Sequence, residues 1–564
     1  MSISARELRP EKESAPVRRL VSGDEGIAAA ALDAGVALGT GYPGTPSTEI
    51  LETLSALGGR AQWAPNEKVA LEVALGAGFG GARTLVTMKH VGLNVAADPL
   101  FTAAYTGTTG GLVIVVCDDP GMSSSQNEQD SRHYARAAGL PMIEPADSQE
   151  AYDFTRIAFD LSERWRLPIL LRMTTRVCHG KSLAVRRAPL PPRTPAFERD
   201  IQGRVMIPGH ARPAHRRLRE KLAQIARWTE ECELNPVIGG GTALGVITSG
   251  VTTLHVSEAD PQARILKLGT VNPLPLERIR AFAAGVERCM VVEEGDPVLA
   301  DAIRAAGIPV ESKPEMYRFG ELNVARVRRI LAGDTSPEPV PPRGKPPALC
   351  PGCPYHPVFG VLQRMDLIVA GDIGCYTLGV MSPYQAMDTC VAMGASLGVG
   401  LGLRHVLPEE QARRVVSVIG DSTFVHGGLT GIAEMIYNPP ATGHVVVILD
   451  NGITAMTGQQ DNPATGRTLE HEPTNKLSLE GFCRALGVAN VDVIDVVKDE
   501  AGFEKLLRER LATNALSVLI SRRPCILAAP DIRRWEEAGA AKRAALHAPL
   551  DCSSCVREDG PEAP

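Results

Sequence analysis

Residues 415–423, Val-Val-Ser-Val-Ile-Gly-Asp-Ser-Thr, and 445–453, Val-Val-Val-Ile-Leu-Asp-Asn-Gly-Ile, decide the fold. Each opens with a short apolar run rich in β-branched residues and without polar alternation, as expected of a strand buried on both faces. The first run ends on Gly420-Asp421-Ser422 and leads into a helical pattern through Ile432 and Met435; the second ends on Asp450-Asn451. Strand, turn, helix and strand in that order give parallel strands, with Asp421 and Asn451 side by side at the carboxyl edge where α/β sheets bind ligands. An Asp, an Asn amide and a backbone carbonyl are hard oxygen donors that suit Mg²⁺ next to a phosphate. The helix N-terminus at Asp421 favours the same anion. Taken alone, Gly420-Asp421-Ser422 reads equally well as a turn in which Asp421 caps a helix.

The same texture recurs outward from this point. Leu112–Cys117 (LVIVVC) is another continuous apolar run closing on polar residues, and Thr84–Met88 precedes a helical pattern. The fold class is therefore α/β with parallel sheets. At 564 residues the chain has room for three to four domains of about 150 residues. Two proline-rich stretches, Arg186–Pro195 and Asp334–Pro347, interrupt helices and central strands and read as linkers. They divide the chain into an N-terminal extension, 1–19; a first domain, 20–185; a linker and charged helical segment, 186–235; a smaller α/β domain, 236–333; a linker, 334–348; a last domain, 349–530; and a tail, 531–564. In the smaller domain, Gly239-Gly240-Gly241 lacks the flanking residues of a phosphate loop and reads as a turn. Glu293-Glu294 at a strand end reads as solvated or capping.

Composition excludes several classes. Hydrophobic residues make up 44% and charged residues 22%, which is globular. The net charge of −6 with no basic stripe argues against nucleic acid as a partner. Met1–Arg19 is polar, and no apolar run reaches the about 20 residues that span a bilayer. A cytoplasmic location and reduced cysteines follow as expectations. Of the 12 cysteines, Cys350 and Cys353 form a C-x-x-C pair, which suits zinc, a redox disulfide or two corners of an iron–sulfur cluster. Cys117, Cys178, Cys232, Cys289, Cys390 and Cys483 lie in apolar or helical contexts and read as structural.

Gly-Asp-Ser with a distant Asn resembles the diphosphate-binding signature of thiamine diphosphate enzymes. The surrounding blocks resemble the α subunit of indolepyruvate:ferredoxin oxidoreductase, and the likeness extends over nearly the whole chain. It rests on GYPGTPS (41–47), NEKVALEV (66–73), MKHVGLNVAADP (88–99), DDPGMSSSQNEQD (118–130), LCPGCP (349–354), DIGCYTL (372–378), GDSTFVHGG (420–428) and ILDNGITAMTGQQD (448–461). The resemblance implies a pyrimidine-binding domain at 20–185 and a diphosphate-binding domain at 349–530, with thiamine diphosphate and Mg²⁺ as cofactors. It implies that Glu67 contacts N1′ of the aminopyrimidine, where a carboxyl group promotes loss of the thiazolium C2 proton. It places Gly44, Thr45, Pro46, Asn94, Cys375, Tyr376, Gly420, Ser422 and Thr454 around the cofactor, and gives Mg²⁺ the ligands Asp421, Asn451 and the Ile453 carbonyl. Lys89 and His90 become candidates for holding or polarising the substrate. Read by themselves, Glu67 fits a surface helix and His90 a helix end.

Related 2-oxo acid oxidoreductases carry a cluster beside the thiamine on two cysteines of CPGC, one of IGC and one far downstream. Cys350, Cys353, Cys375 and Cys525 match that order and imply one [4Fe–4S] cluster. The alternative is that Cys375 and Cys525 are buried apolar residues and Cys350/Cys353 a structural turn. The implied reaction is oxidative decarboxylation of an aryl-type 2-oxo acid, with acyl transfer to coenzyme A and electrons leaving to ferredoxin. The implied assembly is a homodimeric core with a smaller β subunit. The sequence departs from the family in its tail, where Cys552 and Cys555 replace a ferredoxin-like module with two cysteine-rich motifs. A non-oxidative thiamine decarboxylase or carboligase is the second enzyme reading, and a non-catalytic assembly subunit the third.

Overall fold

The computed structural model describes residues 18–191, 194–339 and 344–546. The chain forms two compact units, Met1–Pro346 and Pro347–Pro564. Cys552 and Cys555, and all but the last two residues of the 1–19 extension, lie outside the described residues. Among the described residues no helix is long and apolar enough to cross a membrane.

The first unit is built on a seven-stranded sheet in the order Thr270–Asn272, Met142–Ile143, Ile169–Thr174, Leu112–Asp118, Thr84–Lys89, Leu38–Gly41, Ala61–Trp63. All neighbours are parallel except the first pair. Leu112–Asp118 is buried along its whole length, which is why its sequence shows no alternation. The helix Gly23–Asp33, capped by Ser22, packs on the helix Ser148–Trp165. A five-stranded sheet follows in the same unit: Glu311–Ser312, Arg288–Val291, Leu244–Thr248, Arg264–Lys267, Val237–Ile238. Its core includes Val246, Ile265, Met290, Val292 and Tyr317.

The strand Thr270–Asn272 belongs by sequence to the smaller domain, yet its hydrogen bonds run to Met142–Ile143 at the edge of the seven-stranded sheet. The chain between the two sheets forms the helix Pro208–Glu231, as its charged amphipathic pattern predicts. Gly239-Gly240-Gly241 follows the edge strand Val237–Ile238 as irregular chain, with Gly239 and Gly240 exposed and Gly241 half-buried. Glu293 and Glu294 depart from the expectation of solvation, since both are buried. Glu293 does cap, accepting from Leu299 N at 2.9 Å and Ala300 N at 3.0 Å.

The second unit holds a six-stranded, wholly parallel sheet: Thr389–Cys390, Ile368–Gly371, Val415–Gly420, His444–Asp450, Leu516–Arg522, Asn490–Ile494. The helix after Gly420 runs from Asp421 to Tyr437, with one wide π turn at Phe424–Gly428. The described part of the tail carries the helices Ala529–Ala538 and Ala540–Leu546.

Candidate active site

In the second unit, Asp421 is the first helical residue after the strand Val415–Gly420, and it is buried. Its carboxylate accepts from Ser422 N at 2.8 Å and from Gly452 N at 3.0 Å, which joins the ends of two adjacent strands. Burial, reinforced by the neighbouring Asp450, pushes the Asp421 carboxyl well above the usual range. A divalent cation at this point would reverse that shift. Asn451 Oδ1 accepts from Ile453 N at 3.1 Å. Asn451 and the Ile453 backbone therefore share one short turn, and Asp421 is held against it through Gly452 N. Ser422 and Thr454 are tied by a 2.8 Å hydroxyl hydrogen bond, and Asn462 Nδ2 donates to Thr454 at 3.2 Å. Tyr376 is buried against Gly420, where a Cβ would lie 2.7 Å from its ring, and its hydroxyl donates to Ile373 O at 2.9 Å. The buried Asp372 carboxylate accepts from Gly394 N at 2.9 Å and Ser396 N at 3.0 Å, orienting the start of the helix Ala395–Val406 toward this edge. The donor set fits Mg²⁺: a carboxylate, an amide oxygen and a carbonyl, none of them soft.

Cys350, Cys353, Cys375 and Cys525 come from distant points of the second unit and line one pocket, together with Asn451 and Tyr355. Cys525 N donates to Asn451 O at 2.9 Å, so the last cysteine is hydrogen-bonded to the turn that carries Asn451. Burial and the neighbouring cysteines raise the Cys353 thiol to about 11, and burial, then Cys525 and Cys350, does the same to Cys375. Among the described residues, no three of the four sulfurs lie mutually within 4.8 Å. Of the remaining cysteines, Cys117, Cys178, Cys232 and Cys483 are buried, Cys289 is half-buried, and Cys390 is exposed rather than packed in a core.

The first unit gathers its residues at the carboxyl edge of the seven-stranded sheet. Glu67 is buried at the first position of the helix Glu67–Phe79, with Asn66 capping by accepting from Val69 N at 2.9 Å. Lys89 ends the strand Thr84–Lys89, and His90 begins the helix His90–Val95. Gly92, one turn on, lies against the Glu67 side chain. The buried Lys89 Nζ donates to Ser124 O at 2.6 Å, and its side chain passes Gly44, where a Cβ would lie 3.3 Å from Lys89 Cβ. His90 is buried with Nε2 3.2 Å from Asn127 O, so Nε2 carries the proton. Its Nδ1 is buried without a hydrogen-bond partner among the described residues. Burial lowers both the Lys89 and the His90 pKa. Thr45 and Pro46 are in the same turn as Gly44, which Ser47 Oγ closes by donating to Gly44 O at 2.8 Å. Asn94 is exposed and accepts from Tyr134 OH at 2.6 Å. Glu67, Lys89, His90 and Gly44 thus come together, with Asn94 at the margin.

The sequence places the polar loop Ser123–Asp130 at the active-site edge, after the strand LVIVVC, without marking any of its residues or what holds them. Asp119 accepts from Ser124 N at 2.8 Å and from Ser125 Oγ at 2.5 Å, which shapes the loop that meets Lys89 and His90. The loop is anchored by buried charge. Arg172 donates to Asp118 at 2.7 Å and to Glu144 at 2.6 Å, while Arg132 pairs with Asp130 at 2.5 Å and Glu293 at 2.7 Å. Glu144 also accepts from Ser249 Oγ at 3.0 Å. The network thereby joins the loop to the seven-stranded and the five-stranded sheets. A cavity of about 420 Å³, lined in part by Asn127, Arg172, Asp296, Arg318 and Phe319, opens beside it. The signal was a charged residue inside or just after an apolar strand: Asp118 after LVIVVC, Arg172 within ILLRMT, Glu293 after MVV.

These two edges define a thiamine diphosphate enzyme. The C-terminal TPP-binding domain of thiamine pyrophosphate enzymes matches residues 372–521, and the thiamine diphosphate-binding domain of pyruvate flavodoxin/ferredoxin oxidoreductases matches 29–189. The chain belongs to the indolepyruvate oxidoreductase subunit IorA family, the α subunits of 2-oxo acid:ferredoxin oxidoreductases. It is 38% identical over 574 residues to the IorA subunit of Archaeoglobus fulgidus, covering 95% of this chain and 90% of that one. It is likewise 38% identical to IorA of Thermococcus kodakarensis, over 90% of this chain and 86% of the relative. A solved 2-oxoglutarate:ferredoxin oxidoreductase from Magnetococcus marinus aligns with 56% of this chain and 65% of its own, at 17% identity and a TM-score of 0.49.

Proposed function

We propose that the chain catalyses oxidative decarboxylation of an aryl 2-oxo acid of the indolepyruvate type to an acyl-CoA and CO₂. Electrons leave through one [4Fe–4S] cluster to ferredoxin or a partner subunit. The observation that carries this reading is the convergence of Cys350, Cys353, Cys375 and Cys525 on one pocket beside Asn451. Four thiolates make a complete cluster set. A single tetrahedral ion with thiolates at about 2.3 Å would bring the sulfurs within about 3.8 Å of one another. Among the described residues no three of the four sulfurs meet that spacing, which favours the larger group.

Bound thiamine diphosphate supplies the carbon nucleophile and electron sink for decarboxylation. The chain's own groups hold and tune it. Asp421, Asn451 and the Ile453 carbonyl hold Mg²⁺ and with it the diphosphate; Glu67 holds a proton at the aminopyrimidine. His90, neutral because of burial, keeps a lone pair at Nδ1, and Lys89 keeps N–H donors beyond its bond to Ser124. The Lys89 donors suit a substrate carboxylate or carbonyl, while the bare His90 Nδ1 suits a group that carries a proton. The working enzyme is cytoplasmic, with a homodimer of this chain at its core and a smaller β subunit beside it.

The test is iron, acid-labile sulfide and an EPR spectrum on protein purified without air. About four irons per chain, lost in Cys353→Ser, is the expected result. Protein that binds thiamine diphosphate and Mg²⁺ without iron would turn the assignment to non-oxidative decarboxylation.

A further inference from the structure

We infer that Asp24, Glu49 and His179 form a binding site for a divalent transition-metal ion of the zinc class, separate from the thiamine and cysteine residues. One ligand atom from each of the three lies within 4.8 Å of the other two. They come from three elements of the first unit: the first turn of the helix Gly23–Asp33, the first turn of the helix Thr48–Ala56, and the last residue of the helix Thr175–His179. His179 Nε2 stands 4.0 Å from Glu49 Oε2.

Asp24 is the observation that points to a ligand. Its side chain has no exposure, and neither carboxylate oxygen has a nitrogen or oxygen hydrogen-bond partner among the described residues; the group beside it is the weakly donating thiol of Cys178. A carboxylate removed from water with no stronger partner than a thiol is costly, and a proton or a cation compensates it. Burial, with Glu49 adding to it, raises the Asp24 pKa well above the ordinary value.

The close approach is built into the backbone. A Cβ at Gly23 would run into the carbonyl of Val177 and lie 2.9 Å from Met173 Cε, so only glycine lets the helix start come this near to His179. Glu49 and His179 are about half exposed and free to close by the ångström or so that ligand distances of about 2.0–2.2 Å require. Two carboxylates with one imidazole select zinc, manganese, cobalt or ferrous iron over Mg²⁺ or Ca²⁺, which prefer all-oxygen shells. The exposed side leaves positions for water. The ion would pin three elements together, one of them the helix that directly follows the Gly44–Ser47 turn.

Zn²⁺ alone is the probe. The full chain carrying Cys350→Ser and Cys353→Ser, which removes two competing thiolates, is stripped with a chelator and dialysed against Zn²⁺. Bound zinc and the thermal midpoint are then compared with His179→Gln and Asp24→Asn on the same background. The expected result is one zinc fewer per chain in either variant, or at least tenfold weaker binding, with the zinc-dependent rise in midpoint lost. His179→Gln alters an exposed side chain and carries the test alone if Asp24→Asn fails to fold. Equal zinc content in all three proteins would overturn the site. So would an Asp24→Asn protein that gains stability without losing zinc, since that identifies a carboxyl that simply stays protonated.

Discussion

Glu67 and Gly92 are in van der Waals contact across the first unit's sheet edge, and a Cβ on Gly92 would lie 2.7 Å from the Glu67 carboxyl carbon. The carboxyl group therefore occupies the space that only glycine leaves at that turn of the helix His90–Val95. Glu67→Gln should lower kcat by about 10²–10⁴-fold with the thermal midpoint nearly unchanged. Gly92→Ala should reproduce much of that loss by displacing the side chain. Steady-state turnover of a 2-oxo acid checks both, and full activity in Gly92→Ala would contradict the tight placement of Glu67.

Cys525 is hydrogen-bonded to the Asn451 turn through its backbone N–H, which a serine keeps, and its side chain packs against Ile453, Ala528 and Ile532. Cys525→Ser should therefore reduce bound iron to background while leaving thiamine diphosphate and Mg²⁺ binding within about twofold. Iron analysis and cofactor titration on one preparation separate the two. Loss of both together would mean the cysteine acts on the turn itself.

His444 is buried at the start of the strand His444–Asp450, its Nε2 2.8 Å from Ser417 Oγ. Burial, with Arg404 adding to it, holds its pKa well below the ordinary 6.5. Below about pH 6.5 the unfolded chain takes up a proton on this imidazole that the folded chain refuses. Stability is thus complete above that pH and is lost as pH falls, at about 1.4 kcal/mol per pH unit. Urea midpoints between pH 7.5 and 5.0 should show this slope, and His444→Gln should flatten it.

Arg172 neutralises Asp118 and Glu144 at once, at the sheet edge that carries the loop 119–131. Arg172→Met leaves both carboxylates buried with an uncompensated charge. It should cost about 3–5 kcal/mol of stability. Adding Glu144→Gln should recover part of that loss. Chemical denaturation of the single and double variants decides it, and a neutral Arg172→Met would remove the network from any structural role.

The central strands of both large sheets were legible because continuous runs such as LVIVVC and VVVIL have one plausible home, a strand covered on both faces. The neighbouring strands that end at Gly420 and Asp450 follow from that reading and bring Asp421 to the Asn451 turn. What stayed hidden is contact between distant segments. Arg132 meets Glu293 from 161 residues away, and no local pattern marks a charge as buried. Glu293-Glu294 shows the error this produces, since two adjacent acids read as solvated until their partners are seen. The π turn at Phe424–Gly428 was equally silent, because a single inserted residue shifts the phase of the apolar face without any residue type that marks the place.

The three-residue strand Thr270–Asn272 has a consequence for how this protein can be divided. It closes the side of the sheet that Met142–Ile143 would otherwise leave bare, and Asn272 Nδ2 reaches back to Leu140 O at 2.7 Å. A fragment ending near residue 235 would keep every residue of the first unit's candidate site, yet it would display an open strand edge ready to pair with another molecule. Self-association of such a fragment, and resistance of the intact unit to being separated by proteases between its two sheets, both follow from three residues of borrowed strand.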